Sequence, residues 1–424
     1  MKAYRLPGLH VVEQRVAVPL DWDHPDGEQI EVFVREISDP DRHGEDQRLL
    51  LYLQGGPGGA NPRPLDRSGW LDEAVKDYRV VLVDQRGTGR STPIDARVVA
   101  EREDGADYLA RFRADSIVQD LEHVRATVFH GRRWAILAQS YGGWLTFAYL
   151  SRRPDALTAC YICGGIPGIP ADADEVYRRT FTRVAQKTAE FYRRFPQDAN
   201  AVARIADHLA ENDVRLPDGD RLTVRRFQSL GLDLGMQPGY ERMHWLVEDA
   251  FIRPGRLSEG FLANVLARTS SAGNPLFWTL QEAIYADGES APTAWAAQRE
   301  RDRRPEFAED RRPLLFTGEM AFPWMFDEVR LLRGFRDAVH SLAERAEWPR
   351  LYDHERLAAN DVPIAAAVYF DDLYVDAGLQ LETLSRVGCT QYWTTNEYEH
   401  DGVANGRVLR RLRELVRDRL GGEG

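Results

Sequence analysis

Four stretches, far apart in the chain, carry side chains that acyl transfer would need. The first is "ILAQSYGG", residues 136–143, where an apolar run stops at Ser140 and small residues crowd around it. A nucleophilic serine belongs at a sharp strand-to-helix turn, with small neighbours relieving the crowding. The usual spacing is G-x-S-x-G; here the text is Ala138-Gln139-Ser140-Tyr141-Gly142, with alanine at the first glycine position. The second stretch is "LQGGPGGA", with Gly55, Gly56, Pro57, Gly58 and Gly59 directly after an apolar run. Glycines let a backbone approach a ligand closely and proline stiffens the loop, which suits N–H donors aimed at a developing oxyanion. No G-K-[ST] follows, which argues against a phosphate loop.

The third stretch, "AAAVYFDDLYVD", offers Asp371, Asp372 and Asp376 at the end of an apolar run. Asp372 falls where the chain has just left the strand, the place for an acid that orients a histidine. Asp327 in "PWMFDEV" is its rival, several residues past a run ending at Thr317. The fourth is His400 in "TTNEYEHDG", a loop between strand text and the final helix. Of the ten histidines, His24, His43, His123, His130, His208, His340 and His354 lie in polar or helical text. The order Ser140, Asp372, His400 is that of an α/β-hydrolase.

Those residues need a scaffold. "HVVEQRVAVPL" and "IEVFVREI" alternate apolar and polar residues, as half-buried antiparallel strands do. "LLLYLQ", "YRVVLVD", "WAILA" and "ACYICGG" are continuous apolar runs, as in a sheet covered on both faces. "SIVQDLEHVRATVFH" and "GGWLTFAYLSRRP" have helical spacing between them. Strands alternating with helices predict a mostly parallel α/β sheet. From residue 172 to about 312 the text turns helical and polar. Strand-like runs return at "PLLFTG", "PIAAAVYF" and "TQYWTTN". The expected layout is an α/β-hydrolase core over 1–171 and 313–424, interrupted by a helical cap over 172–312.

Composition narrows the function classes. The chain has 424 residues, 43% hydrophobic and 29% charged, enough for a large globular core. A net charge of -12 argues against a nucleic-acid partner. No stretch approaches a membrane span, and "MKAYRLPGLHVVEQRV" lacks the apolar core of a signal peptide. Three cysteines give no disulfide framework, so the cytoplasm is the expected location. Cys160 and Cys163 form a C-x-x-C, but inside strand text, where they read as core residues. "PADADEVY" lacks the glycine and closing glutamate of a calcium loop.

Taken together, "LQGGPGG", "YRVVLVDQRGTGRSTP", "AQSYGGW", "GEMAFPWMF", "VYFDDLYVD" and "TNEYEHDG" resemble the larger form of bacterial prolyl aminopeptidases, or proline iminopeptidases. These are serine exopeptidases of the α/β-hydrolase class, and the similarity spans nearly the whole chain. The resemblance implies release of an N-terminal residue, preferentially proline, through an acyl-enzyme, without metal or cofactor. It implies Ser140 as nucleophile, His400 as base, Asp372 as orienting acid, and the N–H groups of Gly56 and Tyr141 as oxyanion hole. Family members bind the substrate's free amine with cap glutamates; local similarity maps these to Glu248 and Glu282, with Glu241 open. Phe322, Trp324, Phe326, Trp245 and Tyr285 are candidate walls for a proline ring. The expected partners are peptides with a free N-terminus, not nucleic acid or membrane. The alternatives are an esterase or amidase on small non-peptide substrates, or a non-catalytic protein on the same scaffold.

Overall fold

A computed structural model describes residues 1–419. Eleven strands form in chain order: β1 (Lys2–Leu6), β2 (Leu9–Pro19), β3 (Gln29–Ser38), β4 (Arg48–Leu53), β5 (Tyr78–Asp84), β6 (Trp134–Gln139), β7 (Leu157–Cys163), β8 (Phe251–Arg253), β9 (Arg256–Leu257), β10 (Ile364–Tyr369) and β11 (Thr390–Thr395). Nine of them make one sheet in the order β1-β2-β3-β5-β4-β6-β7-β10-β11. The pairings from β5 through β11 are parallel, while β1, β2 and β3 join antiparallel at one edge. The expected fold is therefore present, with β1 as an addition.

Side chains alternate across a strand, and both faces are buried here. Leu49, Leu51 and Leu53 of β4 enter the core beneath the helices Ala114–Thr127 and Gly142–Arg152. Leu50 and Tyr52 enter the opposite core, with Val408 and Leu412 of the helix Gly406–Arg419. Cys160 and Cys163 fall into opposite cores, and both are free. Burial pushes the Cys163 thiol up to about 12, which suits an inert core residue.

The run "PLLFTG" is not a strand. Its backbone finds partners elsewhere: the Leu314 carbonyl accepts from the Tyr192 hydroxyl at 2.6 Å, and the Leu315 carbonyl from Gln228 Nε2 at 2.9 Å. With those groups satisfied by side chains, no ladder is required. The sheet resumes only at β10. Between β7 and β10 the chain is mainly helical, including Ala173–Arg194, Pro196–Glu211, Gly239–Glu248 and Glu259–Thr269, with the β8–β9 hairpin between the last two. The acids of "PADADEVY" start a helix: Asp172 Oδ1 accepts the Glu175 N–H at 2.9 Å.

Candidate active site

The loops leaving β4, β6, β10 and β11 all emerge at the carboxyl edge of the parallel strands, where α/β folds place their sites. They meet around a cavity of about 400 Å³ lined by Gln54, Gly55, Gly56, Gly59, Gln139, Ser140, Asn274, Glu319, Tyr374 and His400, among others.

Ser140 follows β6 directly and has φ 53°, a left-handed conformation that a side chain adopts only at a cost of about 1–2 kcal/mol. Two backbone bonds hold the turn: the Ser140 N–H donates to the Cys163 carbonyl at 3.1 Å, and the Gly143 N–H to the Ser140 carbonyl at 2.8 Å. The crowding expected at this turn falls on residues after the serine and on a neighbouring loop. A Cβ at Gly143 would lie 1.6 Å from the Gly165 carbonyl oxygen, and one at Gly55 would lie 2.8 Å from Ser140 Cβ. Ala138 sits one step earlier, as a β6 residue paired with Leu53 and Ile162, and its side chain is part of the apolar core. Alanine fits there because the position is ordinary strand.

His400 Nδ1 lies 2.7 Å from Asp372 Oδ2, and both side chains are buried. The other Asp372 oxygen accepts the N–H groups of Tyr374 at 2.8 Å and Val375 at 3.1 Å. Burial pulls the His400 pKa down, but the Asp372 charge and hydrogen bond, with Glu319 beyond, outweigh it and raise it above the usual value. Gln139, next to the serine, donates from Nε2 to the His400 carbonyl at 2.7 Å, tying the two loops together. Asp327, the rival acid, is half-exposed and paired with Arg336 at 2.7 Å, away from the histidine.

The N–H groups of Gly56 and Tyr141 have no protein acceptor among the described residues, and Gly56 lines the cavity. The Gly55 N–H donates to its neighbour's Gln54 Oε1 at 3.1 Å. The loop is held from the other side by Asn274, whose Nδ2 donates to the Pro57 carbonyl at 2.9 Å.

The structure does not bring the expected glutamates to this cavity. Glu248 is 58% exposed, 3.8 Å from His244, and lines a groove on the outside of the molecule. Glu282 is buried around a separate small void, where Oε1 accepts the Ala297 N–H at 3.0 Å and burial lifts its pKa to about 7. Glu241 pairs with Arg194 at 2.7 Å on the surface. The expected aromatic walls lie elsewhere as well: Phe322, Trp324 and Phe326 are core, Trp245 is 58% exposed, and Tyr285 lines a different cavity. In their place stand Phe277, Tyr374, Leu232 and Met236.

The carboxylate that the sequence reading missed is Glu319. It lines the same cavity as Ser140 and His400, and burial, with the Asp372 charge, pushes it up to about 8. Its signal was present in "PLLFTGEMAFPWMF": one acid in an apolar run with no basic residue beside it. Such a carboxylate is costly to bury unless a cation arrives to meet it.

Comparison with known proteins agrees with this architecture. Residues 48–250 match the α/β hydrolase fold family. A proline iminopeptidase of Aeromonas sobria is 45% identical over 98% of this chain and 98% of its own. A proline iminopeptidase of Aspergillus aculeatus is 33% identical, covering 96% of this chain and 94% of that one. With similarity of that extent over a buried Asp372–His400 pair and a left-handed Ser140, the chain belongs to the proline iminopeptidase family.

Proposed function

We propose that this protein is a serine aminopeptidase that releases an N-terminal residue, preferentially proline, from peptides through an acyl-enzyme. The observation that carries it is Glu319 in one cavity with Ser140 and His400. A carboxylate in the nucleophile's cavity offers nothing to a neutral ester, whereas an N-terminal ammonium needs an opposite charge to leave water.

In this reading His400, neutral and oriented by Asp372, takes the proton of Ser140 as the hydroxyl attacks the scissile carbonyl. The N–H groups of Gly56 and Tyr141 meet the oxyanion, which binds them more tightly than the ground-state carbonyl does. His400 then passes the proton to the leaving amine, and water repeats the sequence on the acyl-enzyme. Glu319 ionises when the ammonium arrives, since a nearby cation favours the charged form. Phe277, Met236 and Leu232 give the first residue an apolar seat, which suits a proline ring.

The segment 172–312 acts as a cap: Leu232, Asp233, Met236, Asn274 and Phe277 close the cavity from that side. Closure leaves room for a chain end and blocks peptides that continue past their N-terminus. The partners are therefore peptides with a free amine. A cytoplasmic location is supported by the three unpaired cysteines. No described helix is long and apolar enough to cross a membrane.

The test compares proline arylamide with its N-acetylated form, alongside fluorophosphonate labelling read by mass spectrometry. Cleavage of the free-amine compound only, with label on Ser140 that is lost in Ser140→Ala, is the expected result. Equal rates on both compounds, or a folded protein that takes no label, would overturn the reading.

A further inference from the structure

The loop that carries His400 leaves β11, the edge strand of the sheet. No described strand lies beyond β11, so the sheet supports that loop from one side only. On the core side, Gln139 Nε2 donates to the His400 carbonyl. The segment between β7 and β10 supplies the other side. There the His400 N–H donates to the Gly235 carbonyl at 3.0 Å, the Gln237 N–H to Asp401 Oδ2 at 3.1 Å, and Gln237 Nε2 to the Glu397 carbonyl at 3.3 Å.

The helix Ala173–Arg194 adds a charged clamp. Arg179, Arg183 and Lys187 recur every four residues, which places them on one face. All three reach the loops after β10 and β11. Arg179 Nη1 is 3.0 Å from Oδ1 of Asp376, which caps the helix Ala377–Leu384. Arg183 donates from Nη1 to Asp371 Oδ1 and from Nη2 to the Phe370 carbonyl, each at 3.2 Å, on the two residues before Asp372. Lys187 Nζ donates to Oε2 of Glu399, the residue before His400, at 2.5 Å. The same ammonium lies over the Tyr240 ring, 5.9 Å from its centre. Arg179 and Arg183 are partly exposed, but Lys187 is only 5% exposed. An ion pair so enclosed is little screened by salt. Burial raises the Glu399 pKa, the Asp372 and Asp371 charges add to the rise, and Lys187 is the cation that opposes it.

We propose that Lys187 is a positioning residue: through Glu399 it sets His400 against Asp372 and Ser140. This rests on the reading of those three residues as the acylating machinery. Lys187 does not line the cavity, so it acts on the placement of the histidine and not on the substrate. His400 and Asp372 sit in different loops, and one helix holds both, with Arg183 bonded beside the acid and Lys187 beside the base. A general base works only within hydrogen-bond reach of its proton, and a misplacement of about 1 Å costs on the order of 10²-fold. The triad is thus mounted on the helical segment as well as on the sheet.

The experiment measures the rate of fluorophosphonate labelling at Ser140 and steady-state kinetics on proline arylamide, with Tm recorded for each variant of the full chain. Lys187→Met should lower the labelling rate and kcat by about ten- to hundredfold, with KM within about twofold. It leaves Glu399 as an unpaired buried acid, so it should also lower Tm. The double variant Lys187→Met, Glu399→Gln removes both charges. It should keep Tm near that of wild type and still label as slowly as the single variant. Arg193→Met, on the same helix but paired with Glu190 on the surface, should label within about twofold of wild type. Wild-type labelling and kcat in the double variant would overturn the proposal, leaving the pair as a structural contact. A loss carried by KM, or one matched by Arg193→Met, would overturn it too. A wild type that takes no label fails the serine-hydrolase reading itself; once the wild type labels, the double variant judges Lys187 alone.

Discussion

The Nδ1 of His400 and the Oδ2 of Asp372 are 2.7 Å apart, across a gap of 28 residues in the chain, while the second Asp372 oxygen is held by the N–H groups of Tyr374 and Val375. A carboxylate pinned by two backbone donors cannot rotate away, so it fixes both the ring and its tautomer. Nδ1 carries the proton and Nε2 keeps the lone pair that a general base requires.

Asp372→Asn should therefore lower kcat by about 10³–10⁴-fold while leaving KM within a few-fold, since an amide can stabilise the wrong tautomer. Asp327→Asn should stay within about twofold of wild type, as that residue faces Arg336 on the surface. Steady-state kinetics on proline arylamide distinguish the two; the reverse pattern would reassign the acid.

Glu319→Gln should lower kcat/KM for free-amine substrates by about 10²-fold, with a much smaller effect on a simple ester. Glu248→Gln should remain within about twofold, because that side chain is 58% exposed on the outer face. Equal loss on amine and ester substrates in Glu319→Gln would argue against amine recognition.

The pH dependence follows from the same two groups. His400 must be neutral to act as base, and its raised pKa places the acid limb of activity above 6.5. Glu319 gives up its proton near pH 8 in the free protein, so kcat/KM for peptides should keep rising toward that pH. The two titrate as a coupled pair. Removing the Glu319 charge should move the His400 limb to lower pH, read as the pH profile of fluorophosphonate labelling in Glu319→Gln. Unchanged limbs would remove Glu319 from contact with the pair.

The same carboxyl affects stability. Its pKa rises from 4.5 unfolded to about 8 folded, so between those values the folded state holds a proton that the unfolded state has lost. Stability then declines as pH rises through that window. Glu319→Gln should lessen this decline and raise Tm at pH 8 by about 2–4 °C, measured by calorimetry. A variant less stable than wild type at pH 8 would contradict the assignment.

Ala138→Gly, which restores the common G-x-S-x-G spacing, should not improve catalysis. The position is an internal β6 residue, so glycine should cost about 1 kcal/mol and lower Tm, with kcat within about twofold. A faster enzyme would show that the alanine strains the turn.

Much of the molecule was legible in the text. Continuous apolar runs marked β4, β5, β6, β7 and β10, and turn residues marked the loops after them, because strand burial and turn geometry are local properties. "PLLFTG" misled for the same reason: its composition suits a strand, but Tyr192 and Gln228, distant in sequence, occupy its carbonyls. The glutamates are a different case, since neither Glu248 nor Glu282 lines the cavity of Ser140. On an amphipathic helix an acid that faces solvent and one that faces a cavity have the same local spacing, so Glu248 carried no sign of where it would point; Glu282, between the helix Leu276–Leu280 and a 3-10 turn, points to a separate small void that no spacing marks.

By itself the sequence determined the parallel strands, the sharp turn at Ser140 and the order serine, aspartate, histidine, since parallel strands must all end at one edge and their loops must meet there. Only the tertiary structure decided that Glu319 shares the cavity with Ser140, that Glu248 lies on an outer groove, and that Ala138 is plain strand. Those relations depend on how the segment between β7 and β10 packs over the sheet edge, and packing joins residues through space rather than through spacing along the chain.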